Sequence, residues 1–274
     1  MQPIVIDNPA DPRLADYLAL NDVVLRTATE ERDGVFIAEG ITVLHRLLAS
    51  SYRIRSLVLI PQKFERLRDE LADRWPADAP VYVASRDVLA GVAGFDIHRG
   101  VLAAAERTPA LSITELVGRG SRLLVALEGL NDTENLGAIA RTARAFGAEG
   151  LILDPGCADP LYRRSVRVSM GEILHLPIAR AATGGWPAVA MEEVRAGGYI
   201  VAALTPSPDA LSIYDWPAPE RLVVLLGAEG PGLSAPAQRA ADVRLRIPIN
   251  SAVDSLNVGH AAAAALAVLG RSSS

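Results

Sequence analysis

Lysine is nearly missing from this chain of 274 residues: of its 27 basic side chains only Lys63 is a lysine. No Gly-x-x-x-x-Gly-Lys loop for nucleotide phosphates is therefore present, and Schiff-base chemistry is left with one amine, behind Pro61 at the start of what reads as a surface helix. Cysteine is as scarce. Cys157 has no partner for an internal disulfide, and His45, His98, His175 and His260 are scattered, so no Cys or His pair stands at zinc-ligand spacing and no metal is expected. Long apolar runs are lacking too. The opening MQPIVIDNPADPRL mixes acids and prolines where a signal peptide is apolar, and the longest small-apolar run, 261–269, is too short to span a bilayer. A cytoplasmic protein with no membrane partner is expected. Basic excess is also absent: the net charge of −5, taken alone, argues against a nucleic-acid partner.

What is present is ordinary for a globular chain: 50% apolar and 22% charged residues, enough for one large core or two modest ones. From Gly34 strands predicted at 35–38, 54–60, 81–84 and 100–105 alternate with helices at 41–49, 64–74 and 86–90, which implies a small α/β sandwich over 1–107. Ile41, Leu44, Leu47 and Leu48 recur at helical spacing and belong to its core. Residues 108–121, with Pro109, Gly118 and Gly120, read as a linker containing one helical turn. Over 122–274 the pattern predicts strands at 123–127, 151–153, 176–179, 199–204, 222–226 and 243–249. Helices are predicted at 136–146, from near Pro160, at 188–195, and from about Ser255. That is an α/β domain with a mostly parallel sheet covered on both faces. Ligands of such sheets lie beyond the carboxyl ends of the strands.

Several polar residues fall at those ends, and each has a plain reading. Glu229 sits in the glycine turn GAEGPG, where a glutamate is simply exposed; Asn135 and Ser255 stand where helices begin and read as caps, and Asn257, in a first turn, reads equally as a cap or as solvent-facing. Arg141 and Arg144 share the face of their helix opposite Leu136, Ile139, Ala143 and Phe146. Arg163, Arg164 and Arg167 fall within one turn of each other, either as a compact positive face or as a solvated surface paired with local acids. The spacing and late position of GAEGPG differ from the dinucleotide fingerprint, which disfavours a nicotinamide-dependent oxidoreductase.

Taken together, NLGAIARTARAFGA at 135–148, VVLLGAEGPGLS at 223–234 and IPINSAVDSLNV at 247–258 resemble, in that order, the motifs of the SpoU or TrmH-like family of RNA ribose 2′-O-methyltransferases in the knotted SPOUT superfamily. FIAEGITVLHRLLAS at 36–50 resembles the family's N-terminal RNA-binding domain of ribosomal-protein L30e-like form. The resemblance implies a trefoil-knotted C-terminal domain and a homodimer in which both subunits shape the site. It implies S-adenosylmethionine held largely by main-chain groups at Leu204, Thr205, Gly227, Ile247 and Leu256. It also implies a catalytic set of Asn135, Arg141, Glu229, Ser255 and Asn257. A guanidinium is a poor base near neutrality, so Arg141 is expected to stabilise the developing alkoxide. Asn135 and Asn257 would orient ribose and loop, Glu229 would anchor the motif, and Ser255 would support the site. Arg144, Arg163, Arg164 and Arg167 would extend Arg141 into a basic strip for RNA, which reconciles RNA binding with an acidic chain. Two-domain architecture favours ribosomal over transfer RNA as substrate. The alternatives are a transfer-RNA 2′-O-methyltransferase and a non-catalytic RNA-binding protein of ribosome assembly. The chain departs from the family in Asp132, Thr133, Glu134, Asn135, where Asp-Pro-x-Asn is usual, and in Gly259 and His260, where a serine often follows SLNV; no role is assigned to His260.

Overall fold

The computed structural model describes residues 2–22, 32–97, 99–250 and 252–270, so His98 lies outside the described residues. The chain forms two units, Met1–Thr108 with Leu161–His175, and Pro109–Pro160 with Leu176–Ser274.

In the first unit β1 (Ile4–Ile6) leads through a 3₁₀ turn (Pro12–Tyr17) to β2 (Val35–Glu39), α1 (Ile41–Leu48), β3 (Ile54–Leu59), α2 (Pro61–Ala72), β4 (Val81–Ala84), α3 (Arg86–Ala93) and β5 (Val101–Glu106). Local chemistry sets the helix ends. Pro61 opens α2, where its fixed φ suits the first turn and its missing N–H is no loss. Ser85 caps α3 by accepting from the Val88 N–H, and Gly94, at φ 80°, ends it in the left-handed region. The sheet runs β1-β4-β3-β5-β2, with β5 antiparallel to both neighbours. On α1 the fully buried residues are Val43, Leu44 and Leu47, while Ile41 and Leu48 are half-buried. Tyr17 is wholly buried, and its hydroxyl is 2.7 Å from Ser56 Oγ, which satisfies the polar tip of an otherwise apolar packing residue.

The second unit begins with α4 (Ile113–Val117), fixed by a capping box between Ser112 and Glu115. Then follow β6 (Leu123–Glu128), α5 (Thr133–Ala145) and β7 (Leu151–Leu153). The chain next passes to the first unit for α6 (Arg163–Val168) and a 3₁₀ turn (Glu172–His175). It resumes in the second with β8 (Ile178–Arg180), α7 (Ala188–Ala196), β9 (Ile200–Leu204), β10 (Leu211–Ser212), β11 (Leu222–Gly227), α8 (Ala235–Ala240), β12 (Val243–Arg246) and α9 (Val258–Leu269). The sheet order is β10-β12-β9-β11-β6-β7-β8, and the strand pairs are parallel. Burial on both faces explains why β6 and β11 read as unbroken apolar runs. The 108–121 stretch contains the expected helical turn as α4 and is packed, since Leu111 bridges to Ala179 and Leu116 is buried.

The main difference from the sequence expectation concerns 161–175, which sequence reading places with 122–274. Glu39, at the end of β2, is 3% exposed, and a buried carboxylate needs a cation. Arg163 supplies it at 2.5 Å, with its guanidinium also 4.5 Å from the centre of the Phe95 ring, and Arg167 stands 3.7 Å from the same carboxylate. Arg46 pairs with Glu172 at 2.7 Å. With α6 against it, β2 is buried along all five residues although it is an edge strand.

Candidate active site

At the carboxyl ends of β9, β11 and β12 lies a cavity of about 280 Å³. Leu204, Thr205, Gly227, Ile247 and Leu256 all line it, joined by Glu229 and Ser255. Its lining also includes the apolar residues Leu226, Leu233, Ile249 and Val258 and the glycines Gly230 and Gly232. Thr205 is buried and its Oγ1 accepts from the Ser207 N–H at 3.3 Å. Gly227 is required by contact: a Cβ there would lie 2.2 Å from the carbonyl carbon of Gly232 and 2.3 Å from the nitrogen of Leu233. Gly230 and Gly232 take φ of 86° and 66°, which lets the loop fold back so that the Gly232 N–H donates to the Ala228 carbonyl at 3.0 Å. Gln238 also lines the cavity and donates from Nε2 to the Leu233 carbonyl at 3.0 Å; its place on the short α8 gave no sequence signal.

The three motifs meet through side chains. Glu229 Oε2 accepts from Asn135 Nδ2 at 3.1 Å and from Asn257 Nδ2 at 3.0 Å, and Asn257 Nδ2 also donates to Asn135 Oδ1 at 3.1 Å. Glu229 is exposed, as a turn residue should be, yet it gathers two amides from residues 94 and 28 positions away. Capping is distributed differently from the plain readings. Helix α5 starts at Thr133 with Asp132 as its cap, accepting from Glu134 and Asn135, so the Asn135 side chain is released for Glu229. Helix α9 starts at Val258 with Asn257 as its cap, accepting at Oδ1 from Gly259 and His260, and Ser255 lies before it on the cavity. A Cβ at Gly259 would stand 3.2 Å from Asn257 Oδ1 and 3.9 Å from Asn135 Oδ1, so glycine leaves the amide cluster unobstructed. The His260 side chain is exposed on the first turn of α9.

The arginines are dispersed. Arg141 is exposed on α5, six residues beyond Asn135, which places it about 9 Å along the axis and about 120° around the helix from that amide. Arg144 is exposed one turn further on, and Phe146, expected in the buried stripe, is the helix C-cap and 38% exposed. Arg163, Arg164 and Arg167 belong to the first unit. Arg164 is exposed, whereas Arg163 and Arg167 face Glu39 rather than forming an open positive strip.

One contributor to this region went unnoticed in the sequence. Glu128, at the end of β6, accepts from both donors of Ser234 and from the indole of Trp186. The Cys157 thiol is pushed up to about 12 by burial and by Asp154, which leaves it protonated rather than nucleophilic. Among the described residues no group of three or more His, Cys, Asp or Glu is placed to hold a metal ion, and no helix is long and apolar enough to cross a membrane.

The profile of the SpoU rRNA Methylase family matches residues 122–267. The chain is 45% identical over 261 residues to an uncharacterized tRNA/rRNA methyltransferase of Mycobacterium bovis, covering 94% of this chain and 88% of the relative. It is 30% identical over 205 residues to the 23S rRNA (guanosine-2′-O-)-methyltransferase RlmB of Ralstonia nicotianae, covering 73% and 80%. The AdoMet-bound rRNA methyltransferase from Sinorhizobium meliloti aligns with a TM-score of 0.79 at 26% identity over 98% of both chains.

Proposed function

Because this chain belongs to the SpoU rRNA methylase family, we propose that it methylates a ribose 2′-hydroxyl of RNA, with S-adenosylmethionine as donor and ribosomal RNA as the preferred substrate over transfer RNA. The observation that carries this reading is the convergence of Asn135, Glu229 and Asn257, one from each motif, beside a cavity lined by Gly227, Ile247 and Leu256. The cavity fits the cofactor's chemistry: main-chain groups and apolar side chains suit an adenine ring, and the Thr205, Glu229 and Ser255 side chains offer polar contacts. When bound, S-adenosylmethionine supplies a methyl group activated by its sulfonium. The protein's task is then to align the ribose oxygen and favour loss of its proton, and alignment contributes on the order of 7 to 11 kcal/mol. Asn135 and Asn257 orient the ribose and the loop, Glu229 anchors both amides, and Ser255 supports the rim. Arg141 faces solvent without an ion pair among the described residues, free to stabilise an alkoxide or clamp an RNA phosphate.

Three further features complete the proposal. The second unit carries the family's trefoil knot towards its chain end, a reading supported by the place of Ile247 and Leu256 on the cavity with Leu204 and Gly227. The first unit is an L30e-like RNA-binding module, and the exposed Arg144 and Arg164 add to RNA contact; the small mixed sheet with helices supports this. Two copies pair through the second unit in the cytoplasm. Support comes from the apolar side chains exposed at Val253 and Leu256 and from α9, whose outward alanines are only half-buried. Transfer of labelled methyl to unmodified ribosomal and transfer RNA, followed by alkaline hydrolysis, tests the activity. Label in alkali-resistant dinucleotides is expected, and Arg141→Ala should lower it by roughly 10² to 10³. Label confined to mononucleotides would mean base methylation, and no transfer to either RNA would reject the catalytic reading.

A further inference from the structure

Loop 228–233 forms one wall of the cavity and carries Glu229. One side of this loop is held by Asn135 and Asn257. Its outer end is held by Glu128, which lies outside all three motifs and pairs in register with Gly227 across β6 and β11. Glu128 Oε2 accepts from the Ser234 N–H at 2.7 Å, and Oε1 accepts from Ser234 Oγ and from Trp186 Nε1, both at 2.8 Å. Ser234 is the residue at which the loop becomes α8, since its Oγ accepts from the Ala237 N–H at 3.2 Å. Trp186 packs against the core of the second unit.

Two of these three donors can do nothing but donate: the backbone N–H of Ser234 and the indole N–H of Trp186. They are bound to different oxygens, so position 128 must present two acceptors at once. A carboxylate does this, and a carboxamide does not. The geometry points to Glu128 as a positioning residue for the cofactor wall, its two oxygens fixing the outer end of loop 228–233 and thereby the shape of the cavity. The inference rests on the reading that this cavity takes S-adenosylmethionine.

Glu128→Gln preserves shape but leaves one obligatory donor facing an NH₂ group. Trp186→Phe removes one obligatory donor. In Glu128→Gln/Trp186→Phe the amide oxygen can then serve the Ser234 N–H while the NH₂ donates to Ser234 Oγ. Calorimetric titration of the full-length proteins with S-adenosylmethionine should show Glu128→Gln binding about tenfold more weakly than wild type, from the unpaired donor. The double variant should bind within about threefold of Trp186→Phe alone, the coupling expected of residues sharing one network. The loss should reappear in KM for the cofactor and not in KM for RNA, a split that general destabilisation would not produce. Wild-type affinity in Glu128→Gln, or a weakening that the double variant fails to relieve, overturns the inference. A wild-type protein that does not bind S-adenosylmethionine overturns the cofactor reading itself, a result distinct from either.

Discussion

Asn257 performs two jobs with the two ends of one amide. Its Oδ1 caps α9, and its Nδ2 bridges Asn135 and Glu229. Substitution can separate them. Asn257→Ser keeps a capping oxygen but is too short to bridge, so unfolding free energy should stay close to wild type. Asn257→Ala should lose about 1 kcal/mol in denaturant unfolding through the missing cap. Methyl transfer should fall by about 10² in both, because misplacing a reactive group by about 1 Å has that effect. Equal activity in Asn257→Ser and wild type would mean that the bridge has no part in catalysis. Cys157 offers a different test. Burial first, and Asp154 second, raise its thiol from 9.0 to about 12, so the folded protein retains a proton that the unfolded chain releases. The stability tied to this group is complete below pH 9.0 and is lost as pH climbs towards about 12. Unfolding measured across that range should show the decline, Cys157→Ala should flatten it, and iodoacetamide should label the native thiol far more slowly than the unfolded one.

Among the elements, α9 depends on small residues. Ala262, Ala265, Leu266 and Leu269 form its buried face, and the helix packs against α5. Ala265→Leu adds volume where no space remains and should lower stability by about 1–3 kcal/mol in denaturant unfolding. The central strands of this unit were legible in the sequence because a parallel strand buried on both faces is a plain apolar run, as β6 and β11 are, whereas the two-residue, partly exposed β10 was not. Helix starts were less so. Asp132 and Asn257, rather than Asn135 and Ser255, cap their helices, because a polar stretch such as 131–135 or 254–257 offers several candidates and packing selects the phase. β1 escaped notice as a three-residue strand whose partner, β4, begins about 75 residues later. The residues that meet at Glu229 were readable because each lies in one of three motifs. The carboxylate of Glu128 was not, because its role appears only with Ser234, 106 positions away.

For the whole molecule, an acidic chain that binds RNA must do so through its exposed arginines, such as Arg141, Arg144 and Arg164. RNA affinity should then fall as salt rises, with the slope of log K against log salt growing by about 0.7 to 0.9 for each phosphate contacted. S-adenosylmethionine binding, placed in a cavity that no arginine lines among the described residues, should change little over the same titration, and a parallel decline in both would contradict that division. The same scale explains why 161–175 falls with the first unit. Glu39 and Arg163 stand 124 residues apart, and periodicity carries no information about which distant cation a buried carboxylate will take. Their pairing makes the first unit discontinuous in sequence, 1–108 and then 161–175, with the chain crossing between units near 108, 160 and 175. A single recombination event that transferred only residues 1–108 would therefore leave β2 uncovered and Glu39 unpaired. The first unit should then be inherited as two coupled stretches rather than as a cassette, with substitutions at Glu39 and Arg163 changing together over evolutionary time.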